Sequence, residues 1–314
     1  MIVVLTGGTG GAKFVQGLKQ VVPPRELTFL VNTGDDLRWW GLHVSPDVDS
    51  ITYALAGTLS RERGWGVEGD TFEALEVMQR LGAPAWFQIG DRDLALHKAR
   101  TEMLAAGKPL SQATAEIAQG MGIESRILPA TDDRLETRIQ TPAGELGFQE
   151  YFVRERHQVE VQRVFFAGAE QARPAPGVLE AIAAAEVILV APSNPVTSIG
   201  PILAVPGIRE ALRQTPARVA AVSPIVGRAA VSGPAGELMK TQGLAVSAAG
   251  VAQAYGDFLD VLIVDERDAA EKPAVEKLGL EIRTARTVMK SDVDKAELAW
   301  TALTIARSAA AVAR

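Results

Sequence analysis

Residues 7–13 read Gly-Gly-Thr-Gly-Gly-Ala-Lys and follow directly on the apolar run Ile2–Leu5. Glycines let a backbone approach an anion closely, and a helix opening after such a turn points unpaired N–H groups at it. The turn therefore predicts a phosphate-bearing ligand held by Gly7, Gly8, Thr9, Gly10, Gly11 and Lys13. Neither common fingerprint fits. Lys13 occupies the third glycine of Gly-x-Gly-x-x-Gly, and Phe14 follows it where a Walker loop needs Ser or Thr.

A second cluster is acidic. Asn32-Thr33-Gly34-Asp35-Asp36 follows the apolar run Leu27–Val31, and Asp47 and Asp49 come shortly after. Carboxylates at a strand end suit a hard cation such as Mg²⁺, which takes one or two carboxylates plus waters and phosphate oxygens. They also suit proton acceptance from a hydroxyl. Asp47 and Asp49 equally suit capping of a helix beginning near Val48. A third loop, 191–201, is stiffened by three prolines and offers Ser193, Asn194, Thr197 and Ser198 as neutral partners for a nucleotide. In a fourth, 223–235, Arg228 is a candidate phosphate partner.

The elements that must position these loops alternate. Strands are predicted at Ile2–Thr6, Leu27–Val31, Val161–Phe166, Val187–Val190, Val219–Val222 and Val261–Val264. Helices are predicted at Gly10–Val21, Gly177–Ala185, Ile208–Gln214, Ala235–Gln242, Ala249–Gly256 and Asp292–Ala311. That rhythm predicts an α/β fold with a doubly wound, mostly parallel sheet, whose ligands sit beyond the carboxyl ends of the strands. Residues 61–165 break it. Helical spacing at Thr71–Leu81, Asp93–Ala106 and Ser111–Gly120, and a hairpin around Pro142-Ala143-Gly144, predict a mainly helical insertion. The core domain is then 1–60 plus 166–314. Four of the five tryptophans in a chain of 5% aromatics fall early, and these, Trp39, Trp40, Trp65 and Trp86, with Phe87 read either as core or as a wall for a conjugated ring.

Composition narrows the classes. The chain has 314 residues, 47% of them hydrophobic, and a formal charge of −6. No basic block supports nucleic-acid binding. The absence of cysteine removes thiolate chemistry, and His43, His97 and His157 show no metal-site spacing. No apolar run reaches membrane-spanning length, and the first residues already read as a strand, so a cytoplasmic protein is expected.

Taken in order, several motifs resemble the 2-phospho-L-lactate transferases of coenzyme F420 biosynthesis, archaeal and bacterial. They are Gly7–Lys13, Asn32–Asp36, Gly41–Asp49, Trp65-Gly66, Ile89-Gly90-Asp91-Arg92-Asp93, Ser193–Ile202, Ser223–Gly227, Ser232–Gly236 and Asp257–Asp260. The resemblance spans nearly the whole chain. It implies a Rossmann-like fold with a helical insertion, a homodimer, and Mg²⁺. It implies transfer of a phospho-three-carbon acid from a guanosine diphosphate ester to 7,8-didemethyl-8-hydroxy-5-deazariboflavin, releasing GMP. Carried over, Asp36 is the metal ligand and, with Asp47, catalytic. Asp49, Arg92 and Thr33 contact the deazaflavin alcohol, and the glycine turn with Ser193, Asn194 and Ser198 holds the guanosine diphosphate part. Two other readings remain: a nucleotide-sugar-binding regulator of the gluconeogenesis-factor type, and, on fold analogy alone, a nicotinamide-dependent oxidoreductase.

Overall fold

The computed structural model describes residues 1–308. Strand β1 (Ile2–Thr6) runs through the glycine turn into α1 (Gly8–Val21) and back to β2 (Leu27–Val31). A short hairpin, β3 (Leu37–Trp39) and β4 (Leu42–Val44), precedes α2 (Pro46–Ala56). Helices α3 (Glu73–Arg80), α4 (Asp91–Ala105) and α5 (Leu110–Gly120) follow, then β5 (Arg126–Pro129). Strands β6 (Glu136–Thr141) and β7 (Gly144–Gly147), a π-helical turn over Glu150–Arg154 and β8 (Arg163–Ala167) form a small antiparallel unit. The α/β alternation then resumes with α6 (Val178–Ala183), β9 (Val187–Val190), α7 (Ile199–Ala204), α8 (Ile208–Gln214) and β10 (Arg218–Val222). The two-residue strands β11 (Ile225–Val226) and β12 (Ala229–Ala230) come next. They are followed by α9 (Ala235–Thr241), α10 (Ala248–Tyr255), β13 (Val261–Asp265), α11 (Lys272–Glu276), β14 (Glu281–Ala285) and α12 (Asp292–Arg307).

The main sheet has seven parallel strands in the order β14-β13-β10-β9-β1-β2-β5. Both faces are covered, which is why β1 and β9 are apolar without alternation. Val3 and Leu5 join the core beneath α6, α7, α8 and α10, while Ile2 and Val4 join the one beneath α1, α2 and α12. The chain starts at β1, moves outward to β5, then returns to β9 on β1's other side. The switch point thus lies between β1 and β9, where the strand-end loops diverge and leave a crevice. Among the described residues no helix is long and apolar enough to cross a membrane.

Four expectations change. The strand near Val161–Phe166 pairs with β6 in the three-stranded antiparallel sheet, not in the main sheet. The main sheet instead takes β5, from inside the segment expected as insertion, so 61–165 is not a clean insertion. β5 is a four-residue edge strand ending in Pro129, tolerated there because its outer edge has no partner. β14 carries Glu281 and Arg283 on the opposite edge, a polar pattern that hides a strand. The last helix ends at Arg307, and residues 309–311 of the expected helix lie outside the described residues.

Candidate active site

A cleft of about 650 Å³ opens at the switch point. The glycine turn forms its floor. Gly8 takes a left-handed φ of +67°. Neighbours crowd the others: a Cβ on Gly10 would lie 2.4 Å from the Pro192 carbonyl oxygen, and one on Gly11 2.3 Å from Thr6 Oγ1 and 2.8 Å from Ser193 Oγ. Larger residues would force the turn away from the β9 loop. That loop is bonded to it, since Ser193 Oγ donates to the Gly7 carbonyl at 2.7 Å and accepts from the Gly7 N–H at 3.3 Å. Gly7, Gly8, Thr9, Gly10, Lys13, Ser193, Asn194 and Ser198 all line the cleft; Gly11 sits behind it.

The acidic cluster converges here, with different roles from those expected. Asp47, in the first turn of α2, accepts from the Gly8 N–H at 2.7 Å and from Asn32 Nδ2 at 2.9 Å. It locks the glycine turn to the loop after β2, and burial pushes its carboxyl up to about 6. α2 begins at Pro46 behind Ser45, two residues earlier than expected. Asp36 does not line the cleft. Ser45 Oγ donates to its Oδ1 at 2.6 Å and His43 Nε2 lies 3.0 Å from its Oδ2, so both oxygens are spent on holding the start of α2. Asp35 does line it, and its buried Oδ1 has no hydrogen-bond donor. Burial, then the neighbouring Asp47 charge, raises the Asp35 pKa well above the usual carboxylate range. A bare carboxylate oxygen beside a second carboxylate fits a divalent cation better than a lone proton. Of the two neighbouring carboxylates it is Asp35, not Asp36, that faces the cleft. Among the described residues no group of three or more His, Asp or Glu side chains could hold a metal ion.

The deazaflavin assignments divide. Asp49 lines the cleft, but Arg92 and Thr33 do not. Arg92 is exposed and donates to the Glu68 carbonyl at 3.1 Å, and Thr33 is buried. The cation beside Asp49 is Arg100, which is 1% exposed and grips both Asp49 oxygens. His97 sits between, with Nδ1 3.5 Å from Asp49 and Nε2 3.1 Å from Asp93, and Tyr53 donates to Asp93 at 2.5 Å. Burial alone would lift the Asp93 pKa; His97, Tyr53 and Arg100 together bring it below the usual value. A sequence signal existed. Asp93, His97 and Arg100 fall at i, i+4 and i+7 on α4, one face of one helix. Arg228 is exposed, outside the cleft, and 3.9 Å from Glu271.

The aromatic cluster is both core and wall. Trp39 is buried edge-on to Trp86 at 4.6 Å, while Trp65, Trp86 and Phe87 line the cleft. A further set was not anticipated. Phe148, Gln149, Phe152, Val153 and Arg156 reach the cleft from the π-helical turn and the residues flanking it. Phe148 and Phe152 stack at 5.6 Å, and Phe152 stacks on His157 at 5.8 Å.

A family profile described as 2-phospho-L-lactate transferase CofD matches residues 2–307. The chain belongs to the CofD family. It is 48% identical over 299 residues to the phosphoenolpyruvate transferase of Streptomyces griseus, covering 93% of this chain and 94% of that protein. It is 44% identical over 298 residues to the 2-phospho-L-lactate transferase of Methanosarcina mazei, covering 95% and 98%. A crystal structure of a UPF0052-family protein from Bacillus halodurans superimposes with a TM-score of 0.66 over 96% of this chain and 98% of that one. At 18% identity it shares the fold alone. This CofD-family chain is therefore an enzyme, a transferase of coenzyme F420 biosynthesis. The regulator reading gains no support from these relatives.

Proposed function

We propose that the enzyme transfers a phosphorylated three-carbon acid from a guanosine diphosphate ester to the terminal ribityl hydroxyl of the deazaflavin alcohol. The observation that carries this reading is one cleft lined by a phosphate turn, by Asp35 and by an acid-and-aromatic pocket beyond them. The hydroxyl oxygen forms a new bond to the phosphorus bearing the acid. The phosphorus–oxygen bond to GMP breaks on the far side, and the hydroxyl proton leaves with a base. Such transfers depend on positioning and charge stabilisation rather than on a covalent nucleophile.

The backbone N–H groups after Gly8 and the Lys13 ammonium receive the diphosphate oxygens. Ser193, Asn194 and Ser198 border the same end. Asp35 would hold Mg²⁺, which would supply charge neutralisation for the transferring phosphate. Asp47, with a pKa of about 6, holds the proton released by the hydroxyl. Asp49, held by Arg100, orients the ribityl chain, while Trp65, Trp86 and Phe87 offer faces to the ring. The enzyme works in the cytoplasm and as a homodimer on this reading.

Incubation with the deazaflavin alcohol, guanosine-activated phospholactate, phosphoenolpyruvate or phosphoglycerate, and Mg²⁺, followed by mass analysis, tests it. The expected products are GMP and the phosphodiester of one acid. No such product with any of the three, from folded enzyme, overturns the reading.

A further inference from the structure

The donor proposed above carries three anionic groups: two phosphates in the bridge and the carboxylate of the acid. The cleft's side chains answer unevenly. Asp49 and Asp93 are balanced by Arg100 and His97. Two cations reach the cleft with no hydrogen-bond or ion-pair partner among the described residues, Lys13 and Arg156. Lys13 stands on α1, next to the turn that takes the diphosphate. Arg156 comes from a separate segment, the turn after the π-helical Glu150–Arg154, and the reading above gives it no task.

The surroundings of Arg156 leave its guanidinium unspent. Arg154, two residues earlier, absorbs the local acids, bonding Glu150 at 2.9 Å and Glu155 at 2.8 Å while lying 5.7 Å over the Trp86 ring. Arg156 and His157 are consecutive non-glycine residues with positive φ, +51° and +46°. The His157 N–H fastens the turn to the Tyr151 carbonyl at 2.8 Å. Sparsely populated backbone of this kind persists where a side chain must be aimed. A π-helical turn directly before it is also common at functional sites. Arg156 is an exposed residue of the cleft lining, beside Phe152, which stacks on the next residue, His157.

Resting on the transfer reading, we propose that Arg156 is the specificity-determining residue for the acid, pairing as a planar fork with the carboxylate of the transferred three-carbon group. A guanidinium matches a carboxylate through two parallel hydrogen bonds, which an ammonium cannot do. It selects acids carrying a carboxylate next to the phosphate ester and is indifferent to the guanosine half.

The test compares wild type, Arg156→Gln and Arg156→Lys with the accepted donor, the same donor bearing a carboxamide in place of the carboxylate, and GMP. In Arg156→Gln, kcat/KM for the donor falls roughly 10- to 150-fold. Affinities for GMP and for the deazaflavin alcohol stay within about twofold, and Arg156→Lys recovers part of the loss. Wild type discriminates against the carboxamide by a similar factor, and Arg156→Gln does not. Equal losses for GMP and donor would reassign Arg156 to the diphosphate and overturn the proposal. So would an unchanged donor kcat/KM, or a wild type blind to the carboxamide. If wild type transfers none of the acids, the transfer reading fails separately. Calorimetric binding of the donor and its carboxamide to wild type and Arg156→Gln then decides the Arg156 claim on its own.

Discussion

Asp35 lines the cleft and has one buried oxygen without a hydrogen-bond partner, while Asp36, its neighbour in the chain, spends both on Ser45 and His43. Asp35→Asn should therefore lower turnover by about 100-fold or more while the protein stays folded. Its stability should carry a pH signature. Burial raises the folded-state pKa of Asp35 above its unfolded value, so the folded chain holds a proton that the unfolded chain releases from about pH 4 upward. Wild type without metal thus loses stability relative to Asp35→Asn as pH rises from 4 to 8, and the two converge near pH 4. Mg²⁺ should raise the wild-type melting temperature at pH 8, with little effect at pH 4 and none in the variant. Melting curves across that range check all three statements; a pH-independent difference would mean that Asp35 is not desolvated. Arg100 makes the complementary case. Arg100→Met leaves Asp49 buried without its cation and should cost about 3–5 kcal/mol, read by denaturant unfolding. A loss under about 1 kcal/mol would show that the pair is open to water.

At the level of elements, the glycines of α1 separate two functions. A Cβ on Gly10 would strike the Pro192 carbonyl in the cleft, whereas one on Gly17 would lie 2.1 Å from the Lys295 carbonyl on α12. Each alanine substitution should destabilise by about 1–3 kcal/mol. Only Gly10→Ala should also weaken GMP binding, and calorimetry beside chemical denaturation tells them apart. The same elements show what was legible in sequence. β1, β2, β9, β10 and β13 are covered on both faces, so their apolar runs announced them, and the turn after β1 followed. The edge strands β5 and β14 see solvent, and their mixed residues resemble loop. Asp36 and Asp35 could not be told apart, because alternation of direction in a loop depends on its bonds to Ser45 and His43 rather than on spacing. Arg92 drew attention through its motif, yet α4 turns its i+8 neighbour Arg100 inward and Arg92 outward. Arg156 had no motif at all; its prominence comes from a backbone conformation that composition does not encode.

For the whole molecule, the decisive fact is that the cleft draws on both halves of the sheet: the turn after β1 on one side of the switch point and the loop after β9 on the other. Ligand should fasten them to each other. Hydrogen exchange with GMP present should slow at 7–11 and at 193–198 together, and protection at one segment alone would place the nucleotide elsewhere.

The phosphate turn also depends on a helix that never meets the ligand. α1 is backed along its length by α12, where Gln16 accepts from Lys295 Nζ at 2.8 Å and Gly17 admits the close approach. α12 is the last described element, so residues about 280 positions downstream buttress the anion grip at the very start of the chain. A partly synthesised polypeptide, still lacking this final helix, would present the glycine loop without its support. Competence to bind a nucleotide should arrive only after the last turn of α12 has left the ribosome.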